Sequence, residues 1–267
     1  MTEVHSTDGN IDWTRVSAGI WRRHRQGLRA IRRLDPIAWD ELKGIGRQKQ
    51  ALAHNTERFL AGKPSNNALL WGSRGTGKSS LIKALLNHYG EQGLRMIEVD
   101  KDDLVNLPEI VDNISELPYR FVIFCDDLSF EPGESAYKAL KSVLEGSLEL
   151  PPENVRVYAT SNRRHLMPEY MSDNLKSEMR GDELHPGEAI EEQVSLADRF
   201  GLQLSFYPFP QDTYLEAIDA LFPQVANREV LHRLAIRFAT SRGVRSGRTA
   251  QQFYRAYSGF AFTDEAG

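Results

Sequence analysis

A single cysteine, Cys125, is all the chain contains. That excludes an intramolecular disulfide framework and a cysteine-built zinc site, and it fits a reducing compartment. Nor is there an apolar run approaching the ~18–20 residues needed to cross a bilayer, and residues 1–10 are polar, without the apolar centre of a secretion signal. A cytoplasmic protein without membrane contact is expected. Excess positive charge is also missing: 37 acidic against 33 basic residues give a formal charge of −4, so the composition is not that of a polyanion binder, although a local basic face remains open. What is present is 40% apolar content over 267 residues, ample for a real core in one or two domains.

The most informative stretch is Gly72-Ser73-Arg74-Gly75-Thr76-Gly77-Lys78-Ser79-Ser80, preceded by Ala68-Leu69-Leu70-Trp71 and followed by a helical pattern. It matches G-x-x-x-x-G-K-[ST], the phosphate-binding loop, in its strand-to-helix context. A loop that wraps a polyphosphate must bring backbone N–H groups close to it, and Gly72, Gly75 and Gly77 remove the Cβ atoms that would block the approach or forbid positive φ. The helix starting near Lys78 directs its N-terminal dipole at the phosphates. Lys78 is expected to reach the β- and γ-phosphate oxygens, and Ser79 to place its hydroxyl on Mg²⁺.

About 50 residues later, Phe121-Val122-Ile123-Phe124-Cys125-Asp126-Asp127 is an apolar run closing on two carboxylates. Such a run suits a strand buried on both faces, whose carboxyl end is where an open α/β sheet places ligands. Asp126 is placed to hold Mg²⁺, directly or through water, and Asp127 to orient or deprotonate the attacking water. Glu131 is a reserve candidate for the base. The strand over 155–162 ends in Thr160-Ser161-Asn162; Asn162 either hydrogen-bonds the γ-phosphate or the lytic water, or caps the next turn. Further strands are expected at 95–99 and 202–207, and helices at 47–60, 79–89, 104–117, 136–149, 212–221, 228–241 and 246–258. Residues 13–34 space Val16, Ile20, Trp21, Leu28, Ile31 and Leu34 near helical intervals among seven arginines, Arg15, Arg22, Arg23, Arg25, Arg29, Arg32 and Arg33. They read as a basic amphipathic helix, either a solvated face or a contact for nucleic acid or an acidic partner. The segment 163–195 is long, polar and without clear periodicity, the kind of loop that tends to be functional or mobile.

Taken together, the phosphate loop, the Asp126-Asp127 strand, the Asn162 strand tip, Asp198-Arg199-Phe200-Gly201 and the helical C-terminal part resemble AAA+ ATPases over about residues 40–258. The wording of Asn66-Asn67-Ala68-Leu69-Leu70-Trp71-Gly72 and Arg245-Ser246-Gly247-Arg248-Thr249-Ala250 is similar to a bacterial AAA+ family described as domain of unknown function 815. The resemblance implies an α/β, three-layer αβα P-loop NTPase fold with a parallel five-stranded sheet. It also implies a division into an N-terminal extension (1–38), a nucleotide-binding domain (39–208) and a helical lid (209–267). It matches Lys78 and Ser79 to the Walker A pair, Asp126 to the Walker B metal-holding acid and Asn162 to sensor 1. Arg199 looks like the arginine finger that enters a neighbouring subunit, which implies a homo-oligomer; an ion pair with Asp198 or a loop acid is the plainer role. Arg248 looks like the lid arginine, with Arg245 in reserve, and Ile45 lies in the segment that contacts adenine.

The implied activity is Mg²⁺-dependent ATP hydrolysis to ADP and phosphate, coupled to lid and subunit rearrangement. Many AAA+ proteins have Asp-Glu where this chain has Asp126-Asp127, which sets the carboxylate about one methylene back and leaves open a slow-hydrolysing, nucleotide-gated loader or switch. A small-molecule P-loop kinase is the third reading, disfavoured by the helical C-terminal part. The chain lacks an Asn-Lys-x-Asp guanine reader and a Leu-Ser-Gly-Gly-Gln run, which argues against GTPase and ABC classes.

Overall fold

The computed structural model describes residues 11–130, 134–145, 150–164, 166 and 196–262. Almost all of the polar segment 163–195, the reserve base Glu131 and residues 1–10 lie outside the described residues.

In chain order, β1 (Ala18–Arg22) and β2 (Gly27–Ala30) come first, followed by α1 (Gly46–Leu60) and β3 (Ala68–Gly72). Then come α2 (Lys78–Tyr89), β4 (Leu94–Glu98), α3 (Leu107–Asp112), β5 (Arg120–Cys125), α4 (Ser135–Glu145) and β6 (Val155–Ser161). The last described elements are β7 (Leu202–Phe206), α5 (Gln211–Leu221), α6 (Arg228–Ser241) and α7 (Gly247–Tyr257). The strands form one sheet in the order β2-β1-β4-β5-β6-β3-β7, parallel except for the β1–β2 pair.

Strand alternation divides the core in two. Leu70, Met96, Val122, Phe124 and Tyr158 face α1 and α2, where Leu52, Phe59, Leu81 and Leu85 meet them. Leu69, Ile97, Ile123, Val157 and Ala159 face α3 and α4, against Leu107, Ile110, Tyr137 and Leu140. A sheet covered on both faces explains why β5 is apolar throughout instead of alternating with polar residues. Cys125, fully buried at the end of β5, has its thiol pushed up to about 12 by burial and by the neighbouring Asp126. The folded protein is therefore expected to resist thiol reagents at pH 8 and to react with one equivalent once denatured; reaction of the native protein at the rate of a free thiol would contradict this placement.

Two sequence expectations are corrected. The sheet has seven strands, not five, because residues 13–34 form a hairpin in place of a basic amphipathic helix. The cause is tertiary. β4 offers a free edge, and β1 pairs with it in parallel, Ala18 to Met96 and Ile20 to Glu98. A surface helix would bury one stripe and hold Gly19 in its interior at a cost of about 1 kcal/mol. As a strand, Ala18, Gly19, Ile20 and Trp21 are all buried, and each large apolar side chain gains roughly 1.5–3 kcal/mol. Trp13 adds an edge-on contact with Phe121 at 5.0 Å, and its carbonyl accepts from Arg95 Nε at 2.9 Å. Arg15, Arg22, Arg23, Arg29, Arg32 and Arg33 end up exposed. A smaller difference follows Asp100: the single helix expected over 104–117 is a 3₁₀ segment, Lys101–Asn106, and then the short α3.

Candidate functional site

Strand order brings the site together. β6 lies between β5 and β3, so the carboxyl ends that carry Asp126, Asn162 and the glycine loop are neighbours at one edge of the sheet. The loop itself depends on glycine: Gly75 and Gly77 have φ of +77° and +101°, in the left-handed region where a side chain is strained. At Gly72 the constraint is space, since a Cβ would lie 2.0 Å from the Phe206 carbonyl oxygen of the adjoining strand.

Lys78 is the first residue of α2 and is almost wholly buried. Its ammonium spends its three protons on the carbonyls of Gly72 and Ser73, both at 2.8 Å, and on Asn162 Oδ1 at 3.1 Å. Burial lowers its pKa, while the charges of Asp127 and Asp126 work the other way. Ser79 Oγ donates to Asp126 Oδ1 at 2.6 Å. The same oxygen accepts from Thr160 Oγ1 at 2.5 Å, and Thr160 in turn accepts the Asp127 N–H at 2.8 Å. Asp127 sits at φ +50°, a conformation that aspartate tolerates better than most residues, and its carboxylate accepts from Asn162 Nδ2. Lys78, Asn162 and Asp127 thus form one chain of polar contacts, and Ser79, Asp126 and Thr160 another.

Around them is a cleft of about 920 Å³, within the usual size of small-molecule sites. Its wall includes the sequence-chosen residues Ile45, Arg74, Gly75, Thr76, Gly77, Lys78, Ser79, Ser80, Asp126, Asp127, Asn162 and Arg248. Gly72 and Ser73, the first two residues of the loop, hold Lys78 through their carbonyls. Thr76 Oγ1 ties the loop back to the Ser73 carbonyl at 2.7 Å. α7 touches the loop directly, the Arg248 N–H donating to the Gly75 carbonyl at 3.1 Å, whereas Arg245 Nε is engaged with the Phe209 carbonyl at 3.3 Å. Arg199 is not part of this cleft. It stands in the turn before β7, paired with Glu145 of α4, and lines a separate groove with Asn66, Asn67 and Pro152.

Sequence reasoning missed several wall residues. Thr160, which bridges both aspartates, was visible only as a small polar residue at a strand end. Ile37 and Leu42 belong to the strap between β2 and α1, which Asn87 Nδ2 fastens to α2 through the carbonyls of Asp35 and Ile37. Phe209, Ala217, Leu221 and Ala250 come from the C-terminal helical part. Nothing local in these residues signals a ligand.

The contents of the cleft fit a nucleoside triphosphate with a divalent cation. Glycines at positive φ, Lys78, Arg74 and Arg248 suit a polyphosphate, a hydroxyl beside a carboxylate is hard-oxygen chemistry suited to Mg²⁺, and Ile37, Leu42, Ile45 and Leu221 suit a base. Among the described residues no cluster of three or more His, Cys, Asp or Glu side chains could hold a metal by itself, and no helix is long and apolar enough to cross a membrane.

A parallel αβα sheet with a glycine loop after β3 and an acidic pair after β5 is the fold of the P-loop NTPases of AAA+ type. Two solved structures support the fold: replication initiator DnaA bound to AMPPCP and single-stranded DNA has a TM-score of 0.55 at 17% identity, covering 84% of this chain and 66% of that one. A DNA replication initiation factor gives 0.53 at 18%, covering 86% and 66%. The Holliday junction branch migration motor RuvB of Thermotoga maritima gives 0.48 at 13%, covering 83% and 72%. The chain belongs to the family described as Protein of unknown function (DUF815), which matches residues 14–261. Among curated proteins no sequence match is found.

Proposed function

We propose that the protein binds ATP with Mg²⁺ in the cleft and hydrolyses it as an AAA+ ATPase, residues 39–208 forming the nucleotide-binding domain and 209–267 a lid. The observation that carries this is the meeting of the glycine loop, Lys78, the Ser79–Asp126 contact and the Asp127–Asn162 pair at one sheet edge. The AMPPCP in the DnaA structure is in keeping with it.

In this scheme Lys78 gives up its loop carbonyls and holds the β- and γ-phosphate oxygens. Ser79 and Asp126, in contact through Oγ and Oδ1, would hold the ion, which would supply positive charge against the negative charge developing in the transfer. Asp127 orients the attacking water and accepts its proton, and Asn162, which accepts from Lys78 through Oδ1, holds Asp127 through Nδ2. Ile45, with Ile37 and Leu42, packs on the base. Arg248 approaches the phosphates from the lid, and Arg199 acts in a neighbouring subunit of a homo-oligomer.

The slow-switch alternative, a nucleotide-gated loader for a protein or nucleic-acid partner, is favoured by one feature: Asp127 is shorter than the glutamate common at this place, and its carboxylate is engaged by Asn162. Steady-state phosphate release separates the two. Hydrolysis should require Mg²⁺, and Asp127→Asn should lower turnover by about 10²–10⁴-fold, the usual worth of a positioned general base, with ATP affinity changed little. Wild-type turnover indistinguishable from that of Asp127→Asn would leave the switch.

A further inference from the structure

We propose that the β1–β2 hairpin is a binding surface for the phosphate backbone of nucleic acid. Residues 13–34 contain seven arginines and neither an aspartate nor a glutamate, in a chain of formal charge −4. This concentrates positive charge on one small element. In the fold, Arg22, Arg23, Arg29, Arg32 and Arg33 are exposed, and among the described residues none has a carboxylate within ion-pair distance. Arg29 Nη1 bonds only the neighbouring Ala30 carbonyl, at 3.3 Å, and Arg22 feels Glu98 only at longer range. Structural arginines are usually spent on partners; these are not.

Register arranges them. Ile20 pairs with Arg29 and Arg22 with Gly27, so Arg22 and Arg29 are diagonal neighbours on one face, about 7 Å apart, close to the separation of successive phosphates on a strand. Arg23 extends the row into the turn. The residue type is arginine throughout, with no lysine in the segment, and the guanidinium fork is shaped for bidentate phosphate contact.

The same surface fits a protein partner poorly. Protein interfaces are anchored by buried aromatic or aliphatic side chains, and the hairpin offers none: Trp13 and Trp21 are buried in the sheet core, and the exposed large apolar residues lie elsewhere, at Val105, Leu150, Tyr207, Tyr254 and Phe260. Among the hairpin's described side chains the His24 imidazole is the one exposed ring, which offers little area for base stacking, so the contact should follow the backbone and show little base preference.

Location gives the surface a use. β1 runs parallel to β4, so its carboxyl end and the turn after it lie at the sheet edge that carries Asp126, two strands away, or about 10 Å at ~4.8 Å per strand. The inference stands apart from the ATPase reading, because it is tested without nucleotide.

The experiment is fluorescence anisotropy of the full chain with labelled single-stranded and duplex DNA and RNA of matched sequence, across 50–200 mM salt, with polyglutamate as a competing polyanion. Binding should weaken by roughly 10²-fold over that range if about four phosphates are neutralised. Arg22→Ala/Arg23→Ala/Arg29→Ala should weaken every sequence alike and reduce the salt slope by about 2–3. Arg32→Ala/Arg33→Ala, outside the strands and therefore safe for folding, should reduce it by about 1–2. The single-stranded, duplex and RNA arms identify which nucleic acid is preferred. No binding at 50 mM salt, binding untouched by both variants, or polyglutamate competing as well as nucleic acid at equal charge would each overturn the proposal.

Discussion

Replacing Lys78 by alanine is expected to lower ATP turnover by about 10³-fold or more, the scale seen when a preorganised charge is removed from a developing anion. ATP affinity should fall by about 10–10²-fold, since charge-assisted hydrogen bonds contribute roughly 1.5–3 kcal/mol. The fold should survive. α2 is held to the sheet by Leu81, Ile82 and Leu85, all fully buried, and the loop keeps its Thr76 tie to Ser73. Removing the ammonium does take from Asp126 and Asp127 a buried cation that both attract, so some loss of stability is expected, opposed by easier hydration of the opened cleft. Phosphate release, nucleotide titration and thermal melting on one preparation separate these effects. Unchanged turnover would mean that the cleft is not where ATP is hydrolysed.

Arg199→Ala is expected to lower turnover by about 10³–10⁵-fold, the range for an arginine delivered to a transferring phosphoryl group, while ATP affinity stays within a few-fold. A different result follows if Arg199 is only structural. Its partner Glu145 has a side chain 39% exposed, and an ion pair that accessible contributes at most about 1 kcal/mol. A structural role would therefore shift the melting temperature slightly and leave turnover intact. Glu145→Gln is the control: it breaks the same pair but spares the guanidinium, so turnover should hold or rise.

Local chemistry made much of this legible in the sequence. The glycine loop is read from its motif because Gly77, Lys78 and Ser79 each have a chemical job at a fixed spacing, and the apolar run of β5 identifies a strand covered on both faces. Helices with clear periodicity, such as α6, fall within a residue of expectation. Features set by distant neighbours were illegible. Residues 13–34 have helical spacing by coincidence, and only the free edge of β4, about 75 residues away, turns them into strands. Thr160 becomes a bridge between Asp126 and Asp127 because β5 and β6 pair in register, Cys125 opposite Ala159. Ile37, Phe209 and Leu221 form the apolar wall through packing alone. Arg199 was picked out by its Asp-Arg-Phe-Gly context, but its Glu145 partner lies 54 residues upstream and has no sequence signature.

In the proposed assembly a nucleotide site is completed by two subunits, one supplying the glycine loop, Asp126 and Asp127, the other Arg199. Subunit mixing reads this out. Lys78→Ala subunits cannot hydrolyse but carry Arg199, and Arg199→Ala subunits carry an intact cleft. Mixed at equal concentration and allowed to exchange, they should hydrolyse ATP well above the sum of the two measured separately. A mixture that never exceeds that sum, or full turnover by Arg199→Ala as an isolated monomer, would contradict the account.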